Sequence, residues 1–326
     1  MVPAFAVYRE FAPHAALQPY IRAVFSFIPG AEDGRPSQQR TCEVLALGGD
    51  AVCPPVLADG HACLSFTLGE VCHADARWRA APAGCTGHIG GAVTHADGSG
   101  IARASMIGAY FRAGGLAAFT SVPLHELTNR AVRVEDIWGP DAADIAARLA
   151  ELSEAARIDA LESLLFERLG APRRTQHVSV DVPGLATSIE QRAGRVSVEQ
   201  LTREAGVSRQ YLARIFRERV GVTPKLYARL ARFQSSLAYT GAGERADGAH
   251  AALALGYADQ SHWIAEFKEF SGLTPHSFAA RRWFHPFVER ALRGQVARRP
   301  REGACRRDRD DRRPDHYGGP VSGIVN

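Results

Sequence analysis

A spacing of 51 residues governs what this chain can fold into. Leu212, Phe216, Gly221, Thr223, Pro224 and Tyr227 return as Trp263, Phe267, Gly272, Thr274, Pro275 and Phe278, each position keeping its chemical class. Gly221-Val222-Thr223-Pro224 is matched by Gly272-Leu273-Thr274-Pro275. Two copies are too few for a solenoid, so the pattern describes a duplicated module.

Each copy reads as helix, turn, helix. In the first, Val198, Leu201 and Ala205 mark the inner face of a short helix, and Gly206-Val207 makes the turn. Ser208 then offers an N-cap oxygen to the amides of a second helix. Leu212, Ile215 and Phe216, at i, i+3 and i+4, form that helix's buried face. Gly221 can take positive φ to end it, and Thr223-Pro224 opens a following helix bearing Leu226, Tyr227 and Leu230. In the second copy Ala251, Ala252 and Leu255 line the first helix, Gly256 turns and Asp259 caps; Trp263, Phe267 and Phe270 face inward.

A helix-turn-helix presents the outer face of its second helix to the major groove of DNA. With Leu212, Ile215 and Phe216 committed inward, helical geometry turns Arg209, Gln210, Ala213, Arg214 and Arg217 outward. Arg forks onto guanine O6 and N7, and Gln onto adenine N6 and N7, so Gln210 and Arg214 are the base-reading candidates. Arg209 and Arg217 suit phosphates, which position a protein without reading sequence. In the second copy the outward residues are Gln260, Ser261, His262, Ile264 and Ala265, a neutral and partly apolar face. Ile264 suits a thymine methyl and a neighbouring helix equally well.

Charge divides the 326 residues in three. Residues 1–183 hold 15 Lys+Arg and 20 Asp+Glu, net −5; residues 184–296 hold 16 and 10, net +6; residues 297–326 hold 8 and 5, net +3. An acidic first half and a basic second half is the asymmetry expected when only the latter meets a polyanion. The end from Arg298 is rich in Arg, Asp, Gly and Pro without apolar periodicity, and reads as a disordered basic tail. No apolar run approaches the roughly 18–20 residues of a membrane span, and Arg9 and Glu10 interrupt any signal-peptide core, so a cytoplasmic protein without membrane contact is expected.

The first 140 residues read as β-rich. Short apolar stretches at Cys42–Leu47, Cys63–Leu68 and Met106–Phe111 are separated by Gly, Pro and Asp, the signature of a small sandwich or barrel. From Asp141 to Leu169 the pattern turns helical through Ile145, Leu149, Leu152, Ile158, Leu161, Leu164, Leu165 and Leu169, with Gly170 as a stop. This segment either covers the sheet or pairs two chains as a homodimer. Residues 170–183 are the expected linker. Cys42, Cys53, Cys63, Cys72 and Cys85 cluster without a C-x-x-C pair, so they read first as buried thiols. His61, His73, His88 and His95 never fall at the His-x-His spacing of a metal-binding barrel, and no nucleophile elbow or phosphate-cradling glycine loop occurs. No cofactor, metal or catalytic residue is expected.

Residues 184–285 resemble the DNA-binding domain of AraC-type (AraC/XylS) transcriptional regulators. The resemblance is most specific over Ala254-Leu255-Gly256-Tyr257, Asp259-Gln260-Ser261-His262-Trp263, Phe267-Lys268, and Gly272-Leu273-Thr274-Pro275 to Phe278. It implies two helix-turn-helix subdomains joined by a long helix, here from about Pro224 to Thr240. Both recognition helices would enter successive major grooves, about 34 Å apart. The family often carries a basic residue where Ala265 stands, which weakens the second module's expected contact. The N-terminal part is similar to a cupin-like sensor domain of one group of these regulators, through Tyr20-Ile21, Asp59-Gly60-His61, Phe111-Arg112-Ala113-Gly114-Gly115, Pro123 to Thr128, and Ile137-Trp138-Gly139. Gly114-Gly115 serves either close approach to a ligand or a helix-opening turn.

The whole reads as an α+β protein: a sensor over 1–169, a linker over 170–183, an all-α double helix-turn-helix domain over 184–296 and a tail over 297–326. The implied partners are double-stranded DNA, RNA polymerase and an unidentified small-molecule effector. A thiol- or metal-responsive regulator, a cupin-like enzyme fused to a DNA-binding module, and a nonspecific architectural protein are the rival readings.

Overall fold

The computed structural model describes residues 6–29, 42–44, 57–68, 85–95, 105–170, 180–241 and 248–280. Among the described residues of the N-terminal part, seven strands form one antiparallel sheet: β1 (Ala6–Phe11), β2 (Ile21–Pro29), β3 (Cys42–Val44), β4 (Cys63–Leu68), β5 (Thr86–Gly90), β6 (Ser105–Phe111) and β7 (Ala131–Arg133). Their spatial order is β3-β1-β2-β6-β4-β5-β7. Alternation along the central strands sends one row of side chains to the core. Leu64 pairs with Ile89 on one side and Ala109 on the other, and Phe66 lies opposite Ile107. All five are buried.

Three helices follow: α1 (Val134–Trp138), α2 (Ile145–Ala150) and α3 (Glu154–Gly170). Ile145, Leu149, Ile158, Leu161 and Leu165 share one core with Leu64, Phe66, Ile107 and Phe111, so α2 and α3 cover the sheet. Leu152 departs from the periodic reading. It falls in the break between the two helices and is exposed. The structure also resolves the glycine pair. Gly114, at φ 79°, opens a 3-10 turn over Gly115–Ala118. A Cβ on Gly115 would stand 2.0 Å from the Tyr20 carbonyl oxygen, so the close approach is to backbone.

The C-terminal part is helical: α4 (Val182–Gln191), α5 (Val198–Ala205), α6 (Arg209–Val220), α7 (Pro224–Gly241), α8 (Gly248–Ala254), α9 (Gln260–Ser271) and α10 (Pro275–Ala280). Helix α4 opens inside the stretch read as linker, with the Asp181 carboxylate accepting from the Gly184 amide at 3.0 Å and Pro183 in the first turn, where its missing N–H costs nothing. Helix α7 is the long joining helix, within one residue of the expected bounds.

Two apolar clusters organise these helices, and each takes in residues from the N-terminal part. Ala92 and Ala113 pack with Val182, Ile189, Leu212, Phe216 and Tyr227. Leu57 and Ala58 pack with Leu230, Phe233, Trp263 and Phe267. The Gln234 amide donates to the Ala58 carbonyl at 2.7 Å, tying α7 to the same segment. The residues expected to form the tail, and 281–296 before them, lie outside the described residues.

Candidate nucleic-acid interface

In the first module, local chemistry marks where both helices begin. Ser197 and Gln200 form a reciprocal capping box at the start of α5, with distances of 3.1 and 2.8 Å. Gly206 ends α5 at φ 65°, and the Ser208 hydroxyl accepts from the Tyr211 amide at 3.2 Å to start α6. Leu212, Ile215 and Phe216 are buried. Arg209, Gln210, Arg214 and Arg217 are exposed and Ala213 is half-buried, which is the orientation that base reading requires.

Arg214 is held in place along that face. Its guanidinium lies 5.0 Å from the centre of the Tyr211 ring and donates to the Glu218 carboxylate at 3.0 Å. Residues three and four apart on a helix are neighbours, so both supports come from α6 itself. A guanidinium carries five donors; Glu218 takes one and leaves the fork available for a base edge.

The second module shares the local logic and differs on its outer face. The Asp259 carboxylate accepts from the His262 amide at 2.8 Å, and Gly272 ends α9 at φ 72°. Gln260, Ser261, His262 and Ala265 are exposed, and Ile264 is half-buried. The His262 ring sits edge-on to Tyr257 at 5.4 Å. Inward, the Trp263 indole donates to the Ser236 hydroxyl at 2.9 Å.

Two arginines of α7 turn toward α9, whereas Lys268, the counterpart of Arg217 at the 51-residue spacing, is exposed. Glu266, with its side chain 2% exposed, accepts from Arg229 at 2.8 Å and from Arg232 at 3.0 Å, both on α7. Arg232 also lies 4.6 Å from the Tyr257 ring centre. Burial opposes the charge of Arg229, but hydrogen bonds to Glu266 and Glu269 outweigh it and hold the guanidinium pKa above its ordinary value. Burial, reinforced by Glu266, pushes the Tyr257 phenol up.

The N-terminal part grips the first module at two places. The Thr128 hydroxyl donates to the Gly221 carbonyl at 2.8 Å, just past the end of α6. A Cβ on Gly221 would meet Thr128 Oγ1 at 2.8 Å and the Leu124 oxygen at 3.1 Å; the equivalent Gly272 has nothing within 4 Å. Further along, Arg22 lies 3.1 Å from His61, the His61 ring stands edge-on to Tyr227, and the Tyr227 hydroxyl donates to Glu190 on α4. Burial, then the nearby Glu190 carboxylate, pushes the Tyr227 phenol well up.

Sequence reasoning missed Glu218, Glu266 and the 124–128 segment as parts of this interface. The i+4 spacing of Glu218 from Arg214 was the available signal for the first; the others depend on long-range packing. Among the described residues no group of three or more His, Cys, Asp or Glu is arranged to hold a metal ion, and His73 lies outside them. Cys63 and Cys85 are free thiols, and burial pushes the Cys63 thiol up, away from the reactive thiolate. Cys53, Cys72 and the side chain of Cys42 lie outside the described residues. No described helix is long and apolar enough to cross a membrane.

Residues 201–281 match a family described as a helix-turn-helix domain. Residues 9–133 match a domain of unknown function, DUF6597. No curated protein matches the chain. Among solved structures it is similar to the C-terminal domain of AraT, a response regulator from Geobacillus stearothermophilus, at 17% identity over 32% of this chain and 86% of that one, with a TM-score of 0.29. It is also similar to the xylose-binding transcription activator XylR, at 16% identity over 38% of each chain and a TM-score of 0.28. ToxT from Vibrio cholerae is similar at 9% identity over 69% of this chain and 93% of that one, with a TM-score of 0.39. All three TM-scores lie below 0.5.

Proposed function

We propose, from the premise that this chain carries an AraC-type helix-turn-helix domain and is a DNA-binding transcriptional regulator, that its first module reads the operator while its second mainly positions the protein. In this reading Arg214 and Gln210 contact base edges, Arg209 and Arg217 contact phosphates, and Ala213 allows close approach. Gln260, Ser261, His262 and Ile264 form the weaker second contact. The observation that carries the reading is the three exposed arginines on the outer face of α6 against a single exposed lysine, Lys268, on that of α9.

The domain division follows the same logic: a sensor over 1–169, a connection from 170 that ends where α4 begins at Val182, and the DNA-binding domain from there to 296. The sensor binds an unidentified small molecule or partner and carries no enzymatic activity. Its residues Leu57, Ala58, Ala92 and Ala113 belong to the cores of the DNA-binding half, so a ligand favouring one arrangement of the sensor shifts the placement of α6 and α7. The shifted placement changes operator occupancy or contact with RNA polymerase. The chain acts in the cytoplasm.

The test is a pair of substitutions measured on a duplex selected by the full chain from a random pool. Arg214→Ala should cost about 1–3 kcal/mol in affinity for the selected duplex, with relaxed preference at one base pair. Gln260→Ala should cost less. Equal losses, or a larger one for Gln260→Ala, would reject the division of labour.

A further inference from the structure

Beside the outward face of α6 lies a groove of about 440 Å³, lined by Gln210, Ala213, Arg214, Arg217 and Glu218 from the helix and by His125 from the N-terminal part. We infer that His125 is a phosphate contact of the DNA-bound protein, so that the sensor domain itself forms part of the DNA interface. The inference rests on the base-reading role proposed above for α6.

The geometry of B-DNA supplies the argument. Its major groove is about 12 Å wide, and an α-helix with its side chains measures about 10–12 Å across. A helix seated there fills the groove between two ridges of phosphate. A group fixed alongside the helix at the level of its outward face therefore meets a ridge. His125 is such a group, because it shares one groove with four outward residues of α6.

The histidine is also held at that place. It lies in a 3-10 turn over Leu124–Glu126 whose neighbours Leu124 and Leu127 are buried in the sensor core. Thr128 fastens the following residues to the Gly221 carbonyl at 2.8 Å. The turn packs closely on Gly221, where a Cβ would stand 2.8 Å from Thr128 Oγ1 and 3.1 Å from the Leu124 carbonyl oxygen. His125 itself is exposed.

Charge fits a polyanion better than a cation. The groove's carboxylate, Glu218, is paired with Arg214 at 3.0 Å, which leaves Arg217 and the imidazole to face the phosphates. Glu126 is the other acidic group of the turn; Arg130, donating to the Glu126 backbone carbonyl at 3.3 Å, brings a further cation to the same rim. Imidazole offers a ring N–H to a phosphate oxygen in either protonation state and adds charge when protonated.

The experiment uses the full chain at pH 8, with the selected duplex and a random duplex, between 50 and 200 mM salt. His125→Lys should tighten both duplexes about threefold to tenfold and steepen the salt slope by about 0.9. His125→Glu should weaken both by a similar factor and leave base preference unchanged. Opposite signs for the two variants exclude a folding defect, which would move both the same way. Tighter binding by His125→Glu, or affinities equal to wild type in both variants, would overturn the inference. Arg214→Ala serves as the control. If it loses base preference while the His125 variants match wild type, only the inference about His125 falls. If the wild-type chain selects no duplex, the base-reading role and this inference fall together.

Discussion

The two helix-turn-helix modules repeat the same residue classes at the same spacing and distribute their charges differently. In the first, Arg209, Arg214 and Arg217 line the outer face of α6, and the acidic partner of Arg214 is Glu218, one turn away and itself partly exposed. In the second, the outer face of α9 carries one exposed cation, Lys268, where that of α6 carries three, and its buried Glu266 draws Arg229 and Arg232 of α7 inward. Duplication has preserved what folds the module (caps, glycine stops and apolar faces) and let the outer faces diverge. A stable scaffold does not require two equal readers.

The largest test of this contrast is the loss of its acidic anchors. Glu266→Ala removes the buried carboxylate that Arg232 pairs with and one of the two that Arg229 pairs with, at a cost of about 3 kcal/mol. The matching change in the first module, Glu218→Ala, removes an exposed i,i+4 pair and should cost at most about 0.5 kcal/mol. Thermal unfolding of the two variants checks both. Comparable losses would mean that the buried cluster contributes no more than the exposed pair.

The glycine stops offer a second, smaller contrast. Gly221 and Gly272 both occupy the left-handed region, at φ 98° and 72°. A side chain there costs roughly 1–2 kcal/mol in backbone strain alone. Gly272→Ala should cost about 1 kcal/mol, because its Cβ would meet nothing within 4 Å. Gly221→Ala adds a clash with Thr128 and the Leu124 carbonyl and should cost about 2 kcal/mol or more, while loosening the 124–128 turn. Limited proteolysis within 115–130 should rise only in the Gly221 variant.

This difference marks the boundary of what the sequence makes legible. The repeat, its caps and its inward faces are local: Ser208, Gly221, Asp259 and Gly272 act within four residues of their own position. Helix α4 also had a local signal, in Asp181, Pro183 and the Leu185, Ala186 and Ile189 spacing, but it lay beside polar residues that read as linker. The order of the seven strands, the bond from Thr128 to Gly221 across 93 positions, and the bond from Gln234 to Ala58 across 176 have no periodic signature. They arise from packing between surfaces distant in sequence. His125 belongs with them, since nothing around it in the chain marks it as a neighbour of Arg214.

The smallest expected effect is the one on which the modules should agree. Ser208 caps α6 and Asp259 caps α9, each accepting from the amide three residues on. Replacement of either by Ala strands that donor and should cost about 1 kcal/mol, because the capping geometry is part of what the repeat conserves. The charge of Asp259 adds one asymmetry: a carboxylate at a helix N-terminus gains a further 0.3–1 kcal/mol or so from the backbone dipoles, which Ser208 lacks. Asp259→Asn isolates that contribution, since it keeps the accepting oxygen and removes the charge. Its cost should shrink as salt is raised, whereas the cost of Ser208→Ala should stay constant. If Asp259→Asn proves as damaging as Asp259→Ala at every salt concentration, the carboxylate acts through a specific contact beyond the cap, and the two modules differ at their helix starts as well as on their outer faces.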